Sequence, residues 1–207
     1  MLPRLSQRLA ATVVAAALAA SVSACGDDEA APADDGRAWN DADVAFATDM
    51  IPHHAQALTL VDLTVGRRLS PELTGLAEQI RSAQAPEIEQ MSDWLQEWGE
   101  EIPATGRDHV HAHGSEDEGE AGDEMDQMHG DMPGMVGSED LDELESLKGE
   151  AFEERWLELM IGHHEGAIEM AQAAQEDGEF PGVVELAEAI EEGQQAEVDQ
   201  MEQLLAD

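Results

Sequence analysis

Met50-Ile51-Pro52-His53-His54-Ala55-Gln56-Ala57 returns 110 positions later as Met160-Ile161-Gly162-His163-His164-Glu165-Gly166-Ala167. The register continues without a gap: Leu76-Ala77-Glu78 matches Leu186-Ala187-Glu188, Ile80 matches Ile190, Gln84 matches Gln194, and Glu87 matches Glu197. Gln90-Met91 and Leu95 return as Gln200-Met201 and Leu205. The chain therefore reads as an internal duplication of one unit.

The spacing inside the unit is helical. Phe46, Met50, His53, Ala57, Leu60 and Thr64 advance by steps of three and four, which places them on one helix face, and Trp156, Met160, His163, Ala167, Met170 and Ala174 repeat the pattern. The first helix is expected to open at Asn40 or Asp41, both good N-caps, and to run to about Gly66. Partner helices are expected from Pro71 to Trp98 and from Pro181 to Leu205, each with proline in its first turn, where the missing N–H costs least. Pro52 and Pro86 fall inside predicted helices. On the partner helices Gln84, Glu87 and Met91, like Gln194, Glu197 and Met201, share a face with Ile80 and Ile190. A buried carboxylate is costly unless it is paired or metal-bound, so its appearance twice at one offset points to a partner inside the fold. Few aromatics and few β-branched runs exclude a large sheet, and the expected fold is all-α. The two helix pairs should form an antiparallel bundle whose pseudo-two-fold axis brings the His-His helices together.

The first residues read as an address. Arg4 and Arg8 precede an apolar run from Leu9 to Val22, which ends in the lipoprotein-like box Val22-Ser23-Ala24-Cys25. Cys25 is the only cysteine, so it cannot form an internal disulfide, and a lipidated mature N-terminus explains both its place and its solitude. Residues 1–24 are thus expected to be a signal peptide and residues 25–38 a flexible acidic linker. The remaining 39–207 are expected to form the four-helix bundle domain, with repeat one at 40–98, a disordered His/Met-rich crossover loop at 99–137 and repeat two at 138–207. Loss of residues 1–24 removes two arginines and no acid, leaving seven basic against 48 acidic residues and a formal charge of −41. Such a charge excludes nucleic acid as a partner and favours solubility outside the cell or a local concentration of cations.

The crossover is polar and rich in glycine and acids, and it cannot build a core. It carries His109, His111 and His113, then Met125, Met128, His129, Met132 and Met135. Thioether and imidazole groups spaced along a chain with no core to fill are the donors that Cu(I) prefers, and a low-complexity linker is the bland alternative. A short helix is expected from Ser138 to Leu147, broken at Gly149.

The doubled Met-x-x-His-His, with Ala77, Ile80, Gln84, Glu87 and Met91 behind it and the Met132-Pro133-Gly134-Met135 stretch ahead of its second copy, resembles the bacterial family called domain of unknown function 305. The resemblance covers nearly all of residues 40–207. It implies a ferritin-like four-helix bundle, usually exported, with metal or copper binding in some members and no general enzymatic activity.

The residues themselves disfavour two enzyme classes. Di-iron oxidases on this architecture use Glu-x-x-His pairs, whereas Met50, Ile51, Met160 and Ile161 occupy the positions three before the four histidines. Adjacent histidines also project about 100° apart on a helix, unlike the His-x-x-x-His of zinc proteases. The expectation is a non-enzymatic lipoprotein on the outer face of the cytoplasmic membrane that binds or buffers copper or another soft or borderline metal. Its candidate ligands are Met50, His53, His54, Glu87, Met91, Met160, His163, His164, Glu197 and Met201 in the bundle, and the His/Met set in the loop. Partners are a metal ion and, through Cys25, the membrane, and a homo-oligomer is allowed. The competing expectation is an envelope-structural or interaction bundle in which the same His, Glu and Gln form a buried network without metal.

Overall fold

The computed structural model describes residues 37–105 and 132–206. Every regular element among them is a helix: α1 (Asp41–Asp62), α2 (Pro71–Trp98), α3 (Ser138–Ser146), α4 (Glu150–Asp177) and α5 (Pro181–Ala206). The expected signal peptide, Cys25 and the linker to residue 36 lie outside the described residues. Among the described residues no helix is long and apolar enough to cross a membrane.

Local chemistry sets the helix ends. Asn40 caps α1 by accepting from the Asp43 N–H, while the Asp43 carboxylate accepts from the Asn40 N–H, a reciprocal box. Ser70 caps α2 ahead of Pro71, and Gly99 closes it in the left-handed region at φ 78°. α1 stops at Asp62, four residues before the expected Gly66. There the Thr64 hydroxyl takes the Val61 carbonyl (2.7 Å) and the Arg67 guanidinium takes that of Leu63 (2.6 Å), so side chains replace the next helical turn. Pro52 and Pro86 lie inside uninterrupted helices.

α1 packs on α2 and α4 on α5, and α1 also packs against α4. The apolar interior is split in two. One cluster gathers Leu60, Leu73, Ile80, Phe152, Trp156, Met160 and Met201. The other gathers Phe46, Met50, Ile51, Met91, Leu95, Ala167 and Ile190. Along each long helix a polar pair falls between the two clusters: His53-His54 in α1, Gln84 and Glu87 in α2, His163-His164 in α4, Gln194 and Glu197 in α5. The sequence thus builds an apolar–polar–apolar stack, and the middle layer is the place to look for chemistry.

Two acid clasps tie the helix pairs together. Buried Asp43 of α1 accepts from the Glu179 and Phe180 N–H groups at the head of α5 (3.3 and 3.1 Å). Glu153 of α4 accepts from the N–H of Ser70 (3.0 Å) and from its hydroxyl at the head of α2. In each case a carboxylate satisfies orphan donors at a helix N-terminus. Trp156 adds a buried indole N–H bond to the Leu60 carbonyl (2.8 Å), which locks α4 to α1.

Candidate metal centre

All four histidines of the repeated motif are fully buried. His53 and His163 meet where α1 crosses α4, their ring centroids 3.9 Å apart and their planes tilted by 39°. His54 and His164 turn away toward the partner helices. His54 Nε2–H donates to Glu87 (2.8 Å), and His164 Nε2–H donates to Glu197 (2.9 Å). Glu197 also accepts from Gln79 Nε2 at 3.1 Å. The central pair has neutral partners instead. His53 Nε2–H donates to the Pro133 carbonyl (2.9 Å), and His163 Nε2–H donates to the His53 carbonyl (3.1 Å).

A carbonyl oxygen can only accept, so in His53 and His163 the proton sits on Nε2. Nδ1 then carries a lone pair whenever the ring is neutral. Neutrality is enforced by burial: desolvation, helped by the neighbouring histidines, pushes His53 down from 6.5 to about 3. Desolvation likewise holds His163 well below 6.5. Among the described residues the Nδ1 atoms of all four rings find no hydrogen-bond partner, and neither do the amide O and N of buried Gln84 and Gln194. These are eight unpaired buried atoms in one polar layer. A buried polar atom left without any partner costs about 1–3 kcal/mol, so such a layer favours a ligand or water that pairs with it. A layer of this kind is suited to receive something that accepts lone pairs.

A turn from the end of the crossover closes over the layer. Met132-Pro133-Gly134-Met135 has proline then glycine at its centre, Gly134 at φ 75°, and the Met135 N–H reaching the Met132 carbonyl, the signature of a type II turn. It lies on the backbone of α4. A Cβ on Gly166 would fall 2.1 Å from the Pro133 oxygen, and one on Gly134 would fall 2.5 Å from the Gly162 oxygen. From α1, the Gln56 amide makes two bonds to the Val136 backbone, donating to its carbonyl (2.8 Å) and accepting from its N–H (2.7 Å). The end of the expected loop is therefore part of the packed structure, with Val136 buried and Met132 and Met135 half-buried. This end of the crossover builds no core of its own and packs on the domain instead, where a Pro-Gly turn fits a glycine-lined helix face.

Met50, Met91, Met160 and Met201 are fully buried within the two apolar clusters that flank the polar layer, Met50 and Met160 one turn before His53 and His163. Glu87 and Glu197 serve His54 and His164 as described. His109, His111, His113, Met125, Met128 and His129 lie outside the described residues. Among the described residues no three His, Cys, Asp or Glu side chains converge as a multidentate hard or borderline centre would need. The donors at hand are a close imidazole pair, two flanking imidazoles and thioethers, a set that suits a soft ion tolerant of few ligands. Pro133, Gly166, Gln56 and Gln79 were not among the candidates from the motif. Their signal in the sequence, Pro-Gly opposite Gly-x-x-x-Gly and a glutamine two residues beyond His54, is too short to recognise without the packing.

Residues 43–205 match the family described as Domain of unknown function (DUF305). The chain belongs to this family. No curated protein matches it. Among solved structures, a DUF305 protein from Streptomyces coelicolor is 31% identical with a TM-score of 0.65, covering 80% of this chain and 92% of that one. A DUF305 fragment from Deinococcus radiodurans is 29% identical with a TM-score of 0.64, covering 81% and 97%. CopM in its Cu(II)-bound form is 27% identical with a TM-score of 0.60, covering 79% and 95%. CopM has also been solved bound to Cu(I) and to silver. The structural likeness to CopM thus joins this chain to a fold on which Cu(I)-, Cu(II)- and silver-bound forms have been solved.

Proposed function

We propose that this DUF305 protein is an exported, non-catalytic copper-binding protein that holds a soft monovalent ion in the polar layer of a ferritin-like four-helix bundle built from two repeated helix pairs. The observation that carries the reading is the set of buried imidazoles. Each uses Nε2–H on a carbonyl or carboxylate and leaves Nδ1 unpaired. That is the arrangement of metal-ligating histidines, whose second nitrogen is oriented by an outer partner. Eight polar atoms of this layer have no protein partner among the described residues, which supports a layer that receives a ligand. Copper-bound and silver-bound CopM support soft-ion chemistry on this scaffold. When bound, such an ion would take imidazole donors from the close pair His53 and His163, with His54 and His164 flanking it and Met50 and Met160 one turn away as thioethers. Glu87 and Glu197 would supply compensating negative charge through the imidazoles of His54 and His164.

The His/Met-rich stretch at 109–135 adds a second set of soft donors. The lipoprotein-like box at Cys25 supports a lipid anchor on the outer face of the cytoplasmic membrane, from which the protein would buffer copper. The test is a competition titration of the mature protein with Cu(I) and Ag(I), against an equally acidic control chain. Binding should survive deletion of 109–131 in part and be lost from the core when His53, His54, His163 and His164 are replaced by alanine. Binding no tighter than the control would leave the structural bundle as the function.

A further inference from the structure

The turn at 132–136 does more than close the chain onto α4. We propose that it is a positioning clasp for the metal centre. Its Pro133 carbonyl holds the His53 ring by Nε2–H and so aims Nδ1 into the polar layer. This rests on the metal-binding reading above and adds to it a set of residues that touch no ion.

Three observations carry it. First, Pro133 O is the only hydrogen-bond partner of the His53 ring among the described residues, at 2.9 Å, so the ring orientation depends on a residue 80 positions away in sequence. His54 and His164 are oriented by carboxylates of their own hairpins and His163 by the backbone of α1; His53 alone is oriented by the crossover. Second, the clasp is shaped to bring that carbonyl in. Gly134 takes a positive φ, and Gly166 lets the Pro133 backbone approach to where a Cβ would stand. Third, it is fastened from the other side, because Gln56 pairs both its amide atoms with Val136. The two fasteners occupy equivalent positions of the two repeats, 56 and 166, yet differ in kind: a glutamine that grips and a glycine that yields. The asymmetry breaks the duplication at the point where a single turn must cross a two-fold arrangement.

Outer partners of ligating histidines typically govern metal affinity by about 10–100-fold. Gly166→Ala is the direct probe, since its methyl would meet the Pro133 carbonyl and lift the turn without altering any histidine or methionine. Gly162→Ala is the matched control in the same helix, because its Cβ would meet nothing within 4 Å. Gln56→Ala loosens the clasp independently. Two readouts are taken on the mature protein: the ring Nε2–H signal of His53 by nitrogen-edited NMR without metal, and Ag(I) affinity by competition.

In the wild type and Gly162→Ala the His53 Nε2–H should be visible and protected from exchange. In Gly166→Ala and Gln56→Ala it should broaden or vanish, and silver affinity should fall at least about tenfold. Wild-type affinity in both clasp variants would overturn the clasp while leaving the metal centre standing. Retention of a protected His53 signal in both would overturn it as well. A wild type that binds no silver would overturn the metal reading, and the ring signal would still report whether Pro133 holds His53.

Discussion

The imidazole rings of His53 and His163 lie 3.9 Å apart, contributed by helices whose motifs stand 110 residues apart. Both rings are fully buried, and both carry their proton on the nitrogen that faces a carbonyl. Two uncharged bases are thereby held against one another inside the protein, which gives the stability of the fold a definite dependence on pH.

Burial depresses His53 to about 3 and holds His163 well below 6.5. In the unfolded chain both take up protons as pH falls below about 6.5, whereas the folded rings do not. Their contribution to stability is therefore complete above that value and is lost as pH falls toward the folded values. The loss is up to about 1.4 kcal/mol per pH unit for each ring. Melting temperature should drop between pH 7 and pH 5, where most carboxylates are still ionised, and the drop should be smaller in a His53→Leu/His163→Leu variant. Equal pH dependence in the two proteins would mean that the rings are not buried neutral.

Gln84 and Gln194 bury whole amides without partners among the described residues. Replacement by an apolar side chain of similar length removes that desolvation cost, so Gln84→Met and Gln194→Met should each stabilise the metal-free protein by about 1 kcal/mol or more. Chemical denaturation reads this directly. Destabilisation by either change would show that the amides are satisfied in solution.

The acid clasps make a separate claim about the scaffold. Asp43→Ala strips the partner from the Asn40, Glu179 and Phe180 N–H groups at once. A loss of about 2–3 kcal/mol is expected, larger than an ordinary cap removal, because a buried charged acceptor and three part-buried donors are involved. Glu153→Ala, which frees Ser70, should cost less, about 1–2 kcal/mol. Equal and negligible effects would remove the clasps from the account of stability.

Much of this was legible in the sequence because helical periodicity and duplication are local signals. The all-helical class, the spans of α2 and α5 to within a residue, and the polar stripe of His, Gln and Glu follow from spacing alone. The end of α1 was missed because Thr64 and Arg67 settle it through side-chain bonds to carbonyls. The clasp was missed for a different reason. Met132 and Met135 read as loop donors, and only the packing of Gly134 and Gly166 shows that their turn belongs to the interior. Which ring nitrogen faces inward was likewise invisible, since it depends on a carbonyl 80 residues from His53.

The anchor is tested at Cys25. Cys25→Ser should abolish labelling by a radioactive fatty acid and accumulate the uncleaved precursor, as expected for a lipoprotein box. A wild-type protein released without lipid, with a mature end elsewhere, would place it free of the membrane.

The most direct measurement follows the ring nitrogens of the four buried histidines by long-range nitrogen–proton NMR as one equivalent of Ag(I) is added to the mature protein. The expected result is a large shift at Nδ1 of His53 and His163, with Nε2 still protonated and still hydrogen-bonded to Pro133 and to the His53 carbonyl. Silver that left all four rings unchanged, or that displaced the Nε2 protons instead, would contradict a metal centre in the polar layer.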